Sequence, residues 1–124
     1  MAQVNYTVDT VTGPDDNAPT SLGVDVILHG NAGQADFVLP NINHEHFNRP
    51  NKHDTFGPFR HEDLETLGSI EIRVQAVSWQ MKSLKISTND GRAWITDITH
   101  PVWVYNEFEP IPLKAIEATT PTRR

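Results

Sequence analysis

The sequence predicts an all-β protein, an antiparallel eight-stranded β-sandwich, and three observations predict it. Apolar residues recur at every second position in run after run, the period of a half-buried strand. Polar segments rich in Gly, Pro, Asn and Asp separate those runs. Only "HEDLETL", at 61–67, has helical potential, and it is no longer than about two turns.

In "VNYTVDTV", Val4, Tyr6 and Val8 share one face, with Asn5, Thr7 and Asp9 on the other. "GVDVILH" turns Val24, Val26 and Leu28 inward against Asp25, Ile27 and His29. "DFVL" and "DTFGPF" are weaker strands, the second interrupted by Gly57 and Pro58. "SIEIRVQAV" is the clearest: Ile70, Ile72, Val74 and Ala76 alternate with Glu71, Arg73 and Gln75. "SLKIST" repeats the pattern with Leu84 and Ile86, and "RAWIT" and "PVWVY" are shorter and aromatic-rich. The turns are "TGPDDNAP", "GNAGQ", "RPNK" and "NDG"; Asn89-Asp90-Gly91, between two strand patterns, predicts a hairpin. One domain is expected over 1–110. A C-terminal tail, loose at its end, is expected over 111–124, where prolines and threonines accumulate.

Composition narrows the function classes. With 124 residues the chain supports one domain and one core, and an apolar fraction of 37% suits two β layers better than a helical bundle. Ten basic against sixteen acidic residues leave a formal charge of −6. Without a Lys/Arg run the chain lacks the footprint of a nucleic-acid binder. There is no cysteine, which excludes disulfides, thiolate catalysis and Cys-based zinc sites. "MAQVNYTVD" shows no basic segment followed by an apolar run, and nothing approaches a membrane span. The expected location is cytoplasmic, peripheral to a membrane if the target is a lipid surface.

Landmarks in the chain resemble the PLAT domain, or lipoxygenase-homology domain, a β-sandwich of lipoxygenases, animal lipases, polycystins and some bacterial toxins. The opening strand ends in Thr12-Gly13 before an acidic turn, and "APTSLGVDVILHG" keeps Ala18, Thr20, Val24, Leu28 and Gly30 at the family's spacing. Phe47 precedes Asp54-Thr55-Phe56, the family's Asp-x-Phe. Leu67-Gly68 leads into Ile70 and Ile72; "WQMKSLKI" supplies Trp79, Met81, Leu84 and Ile86, and Trp94 and Trp103 complete the aromatic pattern. The match runs from about Tyr6 to Trp103, and the chain is similar to a stand-alone member of the family. The resemblance implies a non-catalytic binding module. Its target would be a lipid or membrane surface, a lipophilic small molecule or a partner protein.

The resemblance also implies calcium, which takes six to eight oxygen ligands from acidic loops. In the family the ligands come from an Ala-Gly-Thr-Asp loop and the Asp-x-Phe loop. Here the first reads Ala18-Pro19-Thr20-Ser21, which removes a carboxylate. Asp15, Asp16 and Asp36, with Asp54, are the substitute calcium candidates; Asp15, Asp16 and Asn17 read first as ordinary turn formers. Trp79, Phe56 and Trp103 fall at family core positions, while Leu22 and Phe47 are the candidates for exposed apolar contact. The binding end is expected in the loops around 13–22, 31–36 and 43–54.

"NHEHFNRPNKHDTFGPFRHED", at 43–63, holds four of the six histidines and is what the resemblance does not explain. On an extended segment His44 and His46 share a face about 7 Å apart, a spacing for two ligands of zinc or copper, with a third from His53, Asp54 or His61. As an alternative, a small enzyme would draw acid–base residues from His44, His46, His53, Asp54 and His61. Its nucleophile choices are poor: no cysteine and no Gly-x-Ser-x-Gly elbow. Solvated loop histidines are the competing account. An assembly or regulatory subunit fits the same pattern.

Overall fold

The computed structural model describes residues 3–41 and 45–116. Among these it forms nine strands and no helix. They are β1 (Gln3–Thr12), β2 (Val24–Gly30), β3 (Gly33–Leu39), β4 (His53–Glu62), β5 (Leu67–Val74), β6 (Ser78–Thr88), β7 (Ala93–Thr96), β8 (Val102–Tyr105) and β9 (Glu109–Ile116). All pairings are antiparallel, as the alternating sequence patterns predict.

One layer runs β4-β1-β6-β7, with β8 beside β7 on the same edge of β6; the other runs β3-β2-β5-β9. β9 belongs to both. Glu109–Pro112 pairs with β5 and Leu113–Ile116 with β7, so a single strand turns the corner between the layers. This corrects the expected tail over 111–116 and accounts for the ninth strand; the rest of that expectation, 117–124, lies outside the described residues. Pro110 and Pro112 suggest a loop because they cannot donate to a ladder. They sit instead in the half of the strand before the switch, where the Pro112 carbonyl accepts the Asp97 N–H at 2.8 Å.

The period-two pattern builds the core. Val4, Tyr6 and Val8 of β1, Val24, Val26 and Leu28 of β2, Ile70, Ile72 and Val74 of β5, and Leu84 and Ile86 of β6 are all buried between the layers. Trp79 is fully buried and donates its indole N–H to the Thr12 hydroxyl at 3.0 Å, which satisfies both polar groups away from water. The edge strands β3 and β4 do not pair as a ladder; Phe37 of β3 stacks on Phe59 of β4 at 4.6 Å and closes that side with apolar contact.

The stretch 61–67 is not helical. Its Leu64 N–H donates to the buried Tyr6 hydroxyl at 2.9 Å, and Glu65 takes a left-handed φ of 65°. Arg92, just after the 89–91 hairpin turn, reaches Asp63 at 3.0 Å and fastens this loop to the hairpin.

Strand registers divide the loops between two ends. Thr12 lies opposite Met81, Val11 opposite His53, and Val24 opposite both Leu39 and Val74. The loops 13–23, 45–52, 75–77 and 106–108 therefore share one end. The β2–β3 turn closes at Gly30 and Gly33, at the opposite end. The grouping of 31–36 with 13–22 and 43–54 is thus corrected: a seven-residue strand separates them.

Candidate functional site

The end that carries the 13–23 loop has an apolar rim. Among the described residues the exposed large hydrophobic side chains are Leu22 (46%), Val38 (54%), Val77 (83%), Trp103 (36%) and Tyr105 (51%). Backbone contacts gather them. The Gly23 carbonyl accepts the Gln75 N–H at 2.9 Å, and a Cβ on Gly23 would lie 2.7 Å from the Leu39 carbonyl oxygen. Only glycine fits there, and its fit holds Leu22 beside the 75–77 turn. Asn106 donates its side-chain amide to the Gln75 and Ala76 carbonyls at 3.0 and 3.3 Å, fastening the end of β8 to the same turn. Tyr105 lies opposite Ser78, next in the chain to Val77, and Trp103 lies opposite Gln80 on the same outer face.

Leu22 is exposed as expected from the sequence. Val77, Tyr105 and Val38 were not anticipated; of the three, Val77 stands out in the sequence. Val77 is the residue at which "SIEIRVQAV" breaks phase, with Ile70 to Ala76 pointing inward at even positions. Trp103 was expected in the core. In "PVWVY" either face could be buried by pattern alone; the structure buries Val104 and turns Trp103 and Tyr105 out.

Phe47 requires the opposite correction. It is fully buried, stacked on Phe56 at 5.3 Å and edge-on to Trp79 at 5.1 Å. A large ring near a predicted loop looks like an exposed anchor. Here the loop folds inward because the Phe47 carbonyl accepts the Thr20 N–H at 2.9 Å and its own N–H donates to Asp54 at 2.9 Å.

The four calcium candidates are not brought together. Asp15 forms an Asx turn, its carboxylate accepting the Asn17 N–H at 2.8 Å, and Asp16 beside it is exposed. Asp36 lies on the outer face of β3, opposite Ile27. Asp54 is buried, with one oxygen on the Phe47 N–H and the other 2.5 Å from the Lys52 ammonium. An ammonium already neutralises that carboxylate, so this donor set does not fit a shared calcium ion. Among the described residues no three His, Cys, Asp or Glu side chains are grouped to hold a metal.

The histidines of the 43–63 stretch disperse. His44 lies outside the described residues. His46 packs against Phe56 at 5.0 Å with its Nδ1 buried and unpaired among the described residues. His53 is exposed, 3.5 Å from Asp9, whose same oxygen accepts the Thr55 hydroxyl at 2.6 Å. His61, eight residues along β4 and therefore about 25 Å away, donates Nδ1–H to the Glu62 carbonyl at 3.0 Å. Asp54 is committed to Lys52.

The other layer's outer face carries a concavity of about 230 Å³ near the apolar rim, lined by Asp25, Ile27, Asp36, Val38, Arg73 and Phe108 with parts of Val26 and Phe37. Arg73 lies 4.6 Å over the Phe108 ring and 2.7 Å from Asp25, whose second oxygen accepts the Gln75 amide at 2.9 Å.

No family model matches the chain, and no curated protein matches it. Solved structures do. An engineered LOX, Delta413-417:GS, superposes with a TM-score of 0.75 at 14% identity, over 90% of this chain and 16% of that one. A coral 8R-lipoxygenase, described as calcium-activated through a C2-like domain, gives 0.64 at 18% identity over 90% and 17%. The alpha toxin from Clostridium absonum gives 0.65 at 15% identity over 89% and 31%. The chain spans less than a third of each of these proteins. At these identities the shared property is the fold, an antiparallel β-sandwich of the PLAT or C2-like type.

Proposed function

We propose that this chain is a PLAT-type binding module that docks peripherally on a lipid surface through the rim of Leu22, Val77 and Tyr105, with Trp103 beside them. The observation that carries the reading is the collection of these side chains at one end, held there by the Gly23–Gln75 and Asn106–Gln75 contacts. A valine left 83% exposed on a clamped turn has no role in the core. Tyr and Trp beside it suit an interface that is apolar on one side and wet on the other. The likeness to a lipoxygenase's C2-like domain supports the same direction.

Charge selects the kind of surface. Asp15, Asp16, Glu107 and Glu109 are exposed near the rim, and the whole chain carries −6. A zwitterionic bilayer is favoured over an anionic one. With Asp54 paired to Lys52 and Asp36 on a strand face, the reading does not call for calcium. Among the described residues no helix is long and apolar enough to cross a membrane; the proposed contact is through side chains at the rim.

The test is co-sedimentation with phosphatidylcholine vesicles, with calcium or with chelator. Wild type is expected to sediment in both conditions, and Leu22→Ser/Val77→Ser to remain in the supernatant. A wild type that stays in solution with every vesicle would end this reading. Against the catalytic alternative, among the described candidates His53 and His61 stand far apart on β4, and Asp54 is buried against Lys52.

A further inference from the structure

The concavity beside the rim has a composition that a smooth apolar anchor does not need. Its volume, about 230 Å³, is below the 300–1,000 Å³ of sites for drug-sized ligands. It is sized for a fragment of a few heavy atoms. It opens on the outer face of the β3-β2-β5 layer, with the exposed Val38 at the rim side and Asp36 two residues further along β3.

Three charged side chains line this space: Arg73 pairs with Asp25, and Asp36 stands apart from both. The Arg73 guanidinium is held flat over Phe108 at 4.6 Å, and its Nε and Nη2 both donate to one oxygen of Asp25, at 3.3 and 2.7 Å. A guanidinium has five N–H donors. Those left over make no hydrogen bond to the described residues, so the fork is oriented and still has capacity for an anion. Asp36, on the neighbouring part of the wall, makes no hydrogen bond or ion pair with the described residues. One wall of the pocket therefore offers donors to an anion, and another offers a carboxylate to a cation.

We infer that this pocket binds a compact zwitterion that pairs a phosphate with a primary ammonium, the phosphoethanolamine group. Its phosphate meets the free edge of Arg73, and its ammonium donates to Asp36. A quaternary ammonium would need aromatic faces around it. The ring present, Phe108, already has Arg73 over it, and a carboxylate that accepts hydrogen bonds suits an –NH₃⁺ better. The inference rests on the lipid-surface reading for the source of the group: with the rim in the interface, Asp36 and Arg73 stand at headgroup depth. The pocket chemistry applies equally to the free zwitterion.

The experiment separates the two. The full chain, ¹⁵N-labelled, is titrated with soluble O-phosphoethanolamine, phosphocholine and inorganic phosphate. Phosphoethanolamine is expected to shift the backbone amides of Asp36, Val38 and Arg73 saturably, and at least tenfold more tightly than phosphocholine or phosphate. Asp36→Asn is expected to remove that preference while phosphate binding persists; Arg73→Gln is expected to remove both. No saturable shift at these amides would overturn the inference, as would wild-type selectivity in Asp36→Asn or equal binding of phosphocholine. In vesicles, Asp36→Asn is expected to lose only the increment given by adding phosphatidylethanolamine to phosphatidylcholine. Leu22→Ser/Val77→Ser is expected to lose vesicle binding while keeping the soluble headgroup. A protein that binds the soluble group but no vesicle supports the pocket, names the free zwitterion as its source and refutes the docking function.

Discussion

The Asp54 carboxylate accepts the backbone N–H of Phe47 at 2.9 Å and holds that bulky residue at a left-handed φ of 55°. Such a conformation costs an aromatic residue about 1–3 kcal/mol. It persists because burying the ring against Phe56 and Trp79 offsets it. Lys52 completes the arrangement: its ammonium bridges Asp54 at 2.5 Å and the Glu45 carbonyl at 3.0 Å, tying both ends of the loop to one buried carboxylate. The acidic residue that read as a metal or catalytic group organises the loop.

Asp54→Ala is therefore expected to destabilise the fold by about 3–5 kcal/mol, the usual cost of stranding one partner of a buried ion pair. The ammonium left behind and the freed Phe47 N–H would both be short of partners. The shift of the urea unfolding midpoint measures it. A midpoint within the range of neutral surface substitutions would show that the carboxylate does not organise the loop.

Phe47→Ala separates core from anchor. As a core residue it is expected to cost about 3–5 kcal/mol, from lost transfer energy and the cavity left against Trp79. The fraction that remains folded should bind vesicles as wild type does. An anchor would give the reverse: normal stability and lost binding.

These two variants mark where sequence reading ends. Alternation identified the buried faces of β1, β2, β5 and β6, because a period of two in a half-buried strand is a local signal. The corner strand β9 was hidden by Pro110 and Pro112, which usually mark the end of a ladder and here precede a change of layer. The rim was legible only through Leu22. Exposure of Trp103 depends on which face of β8 meets β6 and the core, a long-range fact that two alternating apolar faces cannot disclose. The histidine-rich stretch is scaffold at Phe47, Asp54 and Phe56, with His53 and His61 projecting from a strand too long to bring them together.

Acid should expose the Arg92 network. Hydrogen bonds from Arg92, and then from the Thr88 hydroxyl, lower Asp90 to about 2, and Arg92 also lowers Asp63. A carboxylate whose folded pKa is depressed adds stability above its unfolded value, near 4, and loses it as pH falls through its folded value. The stability difference between wild type and Arg92→Gln should then be constant from pH 7 to about 4 and shrink towards pH 2. These groups lie near the surface, where such pairs contribute modestly and salt screens them. A gap that stays constant down to pH 2 would show that the pairing does not couple to folding.

Tryptophan emission reports on the rim directly. Trp79 and Trp94 are buried, whereas Trp103 is exposed on the outer face of β8. The proposed docking would transfer Trp103 from water to the interface and leave the other two unchanged, so adding phosphatidylcholine vesicles should shift the emission to shorter wavelength. Trp103→Phe should abolish the shift and retain most of the binding, because a phenyl ring still occupies the position. Val77→Ser should weaken binding up to about tenfold, since removing a valine's apolar contact is worth roughly 1–1.5 kcal/mol when the side chain is only partly inserted. The emission of its remaining bound fraction should still shift. A blue shift that survives in Trp103→Phe would place the contact elsewhere on the sandwich and remove β8 from the docking surface.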